Sequence, residues 1–140
     1  MKRFHPRFLF GFLLSFALFY PSLGAPQPGI RIGGEALSAN GQLLRNFEYV
    51  GSCPVQLKFD WGVISSAPIS ITYTFRRNDG SQAQPRNRYL PGGGRSTPIL
   101  DTWNLGANTP QFANYHGRVE LNIQAPVALA HKINFTLHCQ

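Results

Sequence analysis

Acidic side chains are scarce in this chain. Its 140 residues hold six Asp and Glu against 13 Lys and Arg, and only 14% are charged, where an average domain has about 25%. Six carboxylates and four histidines leave little material for acid–base or metal chemistry. The motifs G-x-S-x-G, H-E-x-x-H and the P-loop are all missing. The reading is non-enzymatic, with no metal and no cofactor. No ten-residue helical period occurs beyond the N-terminal segment, which argues against a helical domain. Aromatics are not scarce: at 13% they exclude a disordered polar chain. The length fits one domain.

The first 25 residues have the three-part layout of a secretory signal peptide. Lys2, Arg3 and Arg7 form a basic start, and residues 8–20 are apolar apart from one Ser and one Gly. The segment Pro21-Ser-Leu-Gly24-Ala25-Pro26 then suits cleavage after Gly24 or Ala25. An apolar run of 13 residues falls short of the roughly 20 that span a bilayer. A retained membrane anchor is the alternative. No Cys lies at the cut, so a lipid anchor is not indicated. Removing Lys2, Arg3 and Arg7 leaves ten basic residues against six acids, a net charge of +4. With no long Lys/Arg run, specific nucleic-acid binding is not expected.

Cysteine is down to two, Cys53 and Cys139. Export to the periplasm or the exterior implies an oxidising compartment, where a disulfide is the default. It would close a loop of 87 residues, counting both cysteines, worth on the order of 4–5 kcal/mol in the chain-entropy description. A metal pair lacks the close Cys/His spacing of zinc sites.

The remainder reads as strands. Val55, Leu57, Phe59 and Trp61 alternate with Gln56, Lys58 and Asp60. Ile69, Ile71, Tyr73 and Phe75 repeat the pattern, as do Val119, Leu121 and Ile123, and then Ile133, Phe135, Leu137 and Cys139. Period two with β-branched and aromatic residues on one side means half-buried strands. The turn Asn78-Asp79-Gly80-Ser81 and the break Pro91-Gly92-Gly93-Gly94 punctuate them. Seven strands are expected, at 43–50, 53–64, 68–77, 86–90, 97–105, 117–124 and 131–139. Residues 26–42, rich in Gly and Pro and without sustained period, read as a flexible leader. The fold class is all-β, an antiparallel two-sheet sandwich over 43–140, which half-buried faces favour over a barrel. The expected core is Leu57, Phe59, Ile71, Tyr73, Phe75, Trp103, Leu121, Ile123, Phe135 and Leu137. If strands alternate in direction, Cys53 and Cys139 reach the same end of the sandwich.

Several stretches carry a resemblance: Cys53-Pro54, Tyr73 to Ser81, Thr102-Trp103, and Phe135-Thr-Leu-His-Cys139. Over about residues 46–140 the chain resembles small secreted bacterial immunoglobulin-like, or fibronectin-III-like, β-sandwich domains of unknown function. The Cys spacing departs from antibody domains, since the second Cys falls on the last strand. The resemblance implies a fold and a secreted location, and no activity.

Candidate sites are few. Arg76, Arg77, Arg86, Arg88 and Arg95 supply five of the ten mature positive charges within twenty residues. Arginine forks suit carboxylate and phosphate groups, so the cluster is a candidate anion-binding edge. The alternative is a solvated hairpin whose charges discourage edge-to-edge aggregation. Tyr89 and Tyr115 offer stacking surfaces nearby. Asp101 shares parity with Ile99 and Trp103, which makes it either a perturbed carboxylate beside an indole or an acceptor of backbone hydrogen bonds. His131 and His138 are seven apart, roughly 23 Å along an extended strand, and with His116 read as surface residues. Asn134-Phe135-Thr136 matches the N-glycosylation sequon, with Asn134 on the outward register. The leading function is a secreted non-catalytic module that binds a protein or an anionic polysaccharide or envelope polymer. A small inhibitor of an exported hydrolase is the alternative.

Overall fold

Alternation that runs on for ten or eleven residues gives strands with one apolar face, and such strands need a second sheet to cover that face. The computed structural model describes residues 28–107 and 109–140, so the expected signal peptide lies outside the described residues. Nine strands follow in order: β1 Ile30–Ala39, β2 Gln42–Leu43, β3 Glu48–Gly51, β4 Val55–Ser65, β5 Ile69–Arg77, β6 Arg86–Leu90, β7 Ser96–Leu105, β8 Tyr115–Ala125 and β9 Leu129–Cys139. One sheet has the order β2-β1-β4-β7 and the other β3-β9-β8-β5-β6. Pairing is antiparallel throughout except β3 with β9, which is parallel. No helix among the described residues is long and apolar enough to cross a membrane.

The fold class is all-β, with two sheets facing across one core. All ten expected core residues are buried, Trp103 being the most exposed at 9%. Leu37, Ala39, Val55, Trp61, Val63, Leu90, Ile99, Leu105, Val119 and Ile133 complete the buried hydrophobic set. Trp61 stacks on Phe75 at 5.4 Å between centroids and lies 6.1 Å from Phe59. The rings thus bridge β4 of one sheet and β5 of the other.

Two expectations are corrected. The segment read as a flexible leader contains β1, a ten-residue strand paired with β4 from Ile30↔Ser65 to Ala39↔Leu57. A bulge between Ile32 and Gly34 hid it. Before the bulge Ile30 and Ile32 are the partly buried positions, and after it Leu37 and Ala39 are the buried ones. One extra residue reverses the parity, so no single period covers the strand. The strand expected at 43–50 is two short pieces, β2 and β3, joined by a crossover from one sheet to the other. Phe47, at φ 56°, turns the chain there, and its carbonyl accepts from the Thr136 N–H at 2.9 Å.

Cys53 and Cys139 are disulfide-bonded, with Cα atoms 5.4 Å apart. The bridge ties the end of β9 to the segment that leads into β4, and so links the two sheets. Gly106 packs against it, since a Cβ there would lie 2.8 Å from Cys53 Sγ.

Candidate functional site

The five clustered arginines do not form one patch. Residues that alternate along a strand leave on opposite faces, and Arg76 and Arg77 are neighbours on β5. Arg77 follows Tyr73 and Phe75 inward. Its Nη2 donates to both Asp101 oxygens, at 3.3 and 3.1 Å, and to the Thr102 carbonyl at 3.0 Å. The guanidinium carbon sits 4.9 Å from the Trp103 ring centroid. Arg77 is therefore committed to the other sheet, as the counter-ion of a carboxylate that is only 8% exposed. Burying Asp101 without this partner would be costly, because an unpaired charge loses its hydration. Arg77 thus latches the two sheets through Asp101, and differs in this from the other four candidates. Asp101 accepts from that guanidinium, and among the described residues no backbone donor reaches its carboxylate.

Arg86 and Arg88 lie on the edge strand β6, opposite Tyr73 and Ile71, and are exposed. Arg88 borders a shallow depression with Tyr73, Pro98, Ile99 and Leu100. Arg95 is exposed in the turn between β6 and β7, where its N–H donates to the Gly92 carbonyl. That turn follows the Ile69↔Leu90 end of the β5–β6 pair, seven residues of β5 from Arg76, or about 24 Å. Cross-strand register, and not sequence proximity, sets these separations.

The residue that joins Arg76 comes from elsewhere. Arg76 opposes Glu120 on β8, and Arg118 stands two residues along the same outer face. Such diagonal neighbours lie about 7–8 Å apart. With Arg77, Gly80, Ser81, Gln82 and Glu120 they line an open cleft of about 310 Å³, which Arg77 borders while its Nη2 is held by Asp101. Among the described residues neither Arg76 nor Arg118 has an ion-pair partner. Arg76 Nε makes one long hydrogen bond, 3.5 Å to Gln82 Oε1. Glu120 is already engaged, by Asn122 Nδ2 at 2.6 Å and Lys132 Nζ at 3.8 Å. Two free forks on adjacent strands can hold one carboxylate or phosphate between them. Arg118 was missed because it is 42 residues from Arg76 in the chain; its outward parity on an alternating strand was the available signal.

The hairpin after β5 supports this cleft. Gly80 takes φ 86°, as an Asp-Gly turn requires, and Asp79 accepts from the Ser81 N–H at 2.8 Å. Hydrogen bonds from Ser81, from its hydroxyl first and its backbone second, hold the Asp79 carboxyl below its ordinary value of 3.8. Asn78 accepts from the Arg118 N–H at 3.0 Å and bonds the Tyr115 hydroxyl, fixing the start of β8 against the turn. Tyr115 is therefore a packing residue, in contact with Phe112 and Phe135. Tyr89 is 60% exposed but stands on β6, apart from the cleft.

Each histidine has its own separate partners. His131 Nε2 meets Glu35 across the open side between β1 and β9. His138 faces Glu48 at 3.1 Å and the Ala113 carbonyl at 3.1 Å. His116 Nδ1 lies 3.3 Å from Thr136 Oγ1. Among the described residues no three His, Cys, Asp or Glu converge on one point. Asn134 is exposed on the outer face, beside Arg118.

No protein-family model matches the chain, and no curated protein matches it at a significant level. Among solved structures it is similar to the C-terminal domain of wzt, at 10% identity and a TM-score of 0.48, over 81% of this chain and 75% of that one. A likeness this distant carries no argument about function.

Proposed function

We propose that the protein is an exported, non-catalytic immunoglobulin-like module that binds an anionic polymer of a surface or envelope. The observation that carries the reading is the pair of exposed guanidiniums of Arg76 and Arg118 at one cleft, without an ion-pair partner among the described residues. The basic, apolar and small-residue layout of residues 1–25 and the Cys53–Cys139 bridge support export. The inhibitor alternative would draw support from projecting loops. Residues 81–83 instead lie back on β5, where the Arg77 N–H donates to Ser81, the Ala83 N–H to Phe75 and Thr74 Oγ1 to Ala83. Phe112 likewise packs on the core.

Retention on a polyanionic matrix across a salt gradient tests the reading. Arg76→Ser with Arg118→Ser is expected to elute well before the double variant Arg31→Ser with Arg45→Ser, which removes the same charge elsewhere. Both lower the net charge equally, so equal losses would reduce the site to general charge and end the proposal. The dependence on salt should be steep, because exposed charges are screened within about 8–10 Å at physiological ionic strength.

A further inference from the structure

Arg118 lines a second cleft as well. This one holds about 480 Å³ and runs from Arg118 across β9 to the crossover before β3, past His116, Asn134, Thr136, Asn46 and Phe47. Its chemistry differs from that of the first. No carboxylate lines it, and Arg118 is its only permanent charge. Asn46 and Asn134 are exposed amides, each with donors and an acceptor, and Thr136 and His116 add a hydroxyl and an imidazole. Phe47 contributes the apolar surface, half buried and held by the carbonyl contact to the Thr136 N–H. A bulky residue at φ 56° is uncommon, and such outliers concentrate at sites that hold something.

The two clefts meet at Arg118 and follow the strand order β5, β8, β9, β3. Three strand spacings of about 4.8 Å make a track of roughly 14 Å before the flanking loops are added. One end has the guanidiniums of Arg76 and Arg118 beside the Asp101-paired Arg77, and the other has amides, a hydroxyl and an aromatic face. Glu120 stands between Arg76 and Lys132 on the charged end, so closely spaced anions would meet a like charge there.

We infer that this face takes an acidic glycan whose carboxylates are separated by neutral sugar rings, laid across the strands. The charged group would sit between Arg76 and Arg118, and the adjoining neutral ring on the amides beside Phe47. Sugar hydroxyls both donate and accept, which the Asn46 and Asn134 side chains match. A densely sulfated chain gains from the arginines and loses at Glu120. The inference rests on the reading of this face as an anion-binding surface.

Direct titration of the exported protein with hyaluronan, heparin and dextran oligosaccharides of equal length tests it at physiological ionic strength. Hyaluronan is expected to bind most tightly and dextran not at all. Asn46→Ala with Asn134→Ala should weaken hyaluronan about tenfold, the loss of one or two net hydrogen bonds, and leave heparin unchanged. Arg118→Ser should weaken both. Heparin binding that depends on Arg118, with hyaluronan no tighter and no effect of the asparagines, would overturn the glycan inference and leave the anion-binding face standing. Loss of neither ligand in Arg118→Ser would overturn both. If the double asparagine variant does not fold, hyaluronan added to the unaltered protein should still shift the His116 ring resonances. An unmoved His116 would overturn the inference.

Discussion

Arg76 and Arg77 are adjacent, chemically identical and assigned to different regions of the molecule. Arg77 belongs to the seam between the sheets, closed over Asp101 and Trp103. Arg76 belongs to the outer face, beside Arg118. The same division recurs one strand pair away, where Phe135 is in the core and Asn134 borders the cleft. An inward position turns a side chain into structure, because its partners are fixed and its hydration is lost. An outward position leaves it available. The sandwich thus separates packed side chains from solvent-facing ones by parity, one residue at a time.

The largest expected effect tests the Asn134–Phe135 boundary. Phe135 makes ring contacts with Phe59 at 5.5 Å and Trp103 at 6.2 Å, and covers Gly117, where a Cβ would come within 2.0 Å of it. Phe135→Ala should cost about 3–5 kcal/mol in denaturant unfolding, and Asn134→Ala less than about 0.5. Similar costs at the two positions would break the comparison, since a one-residue slip exchanges the faces.

Next comes the arginine pair itself. Arg77→Ala leaves the Asp101 carboxylate buried without its counter-ion and should cost about 2–4 kcal/mol, below the full buried-pair range because Arg77 is 25% exposed. Arg76→Ala should change stability by less than about 0.5 kcal/mol and take its effect on anion retention instead. The comparison would fail if the two variants had the same thermal midpoint.

The smallest effect concerns the turn that carries the outer cleft. Asp79 is held below 3.8 in the folded protein by Ser81, so its contribution is complete above that unfolded value. It is lost as the pH falls through the lower folded value. Asp79→Asn should therefore lie slightly below the unaltered protein in thermal midpoint at neutral pH and converge with it in acid. A gap that widened on acidification would contradict the assignment of the Ser81 hydrogen bonds.

Strands β4 to β9 were legible because each alternates over nine or more residues or, like β6, sits between strong turn signals. Their inward sets follow directly, down to Asp101 sharing a face with Trp103. β1 was not legible, since its bulge reverses parity halfway along. The candidate site was half legible. Arg76 stood out in a dense run of arginines, but Arg77, counted with it, serves the interior, and Arg118 was overlooked.

The sequence by itself determined the strands and the face on which most side chains leave them. Both depend on neighbours one or two residues away, through pleat geometry and the exclusion of apolar groups from water. Only the tertiary structure decided which outward residues meet. The pairing of β5 with β8, the crossover that brings Phe47 beside Thr136, and the approach of β7 to Arg77 all join residues at least twenty-four apart. Register of that kind is settled by the packing of the whole core, and no local pattern encodes it.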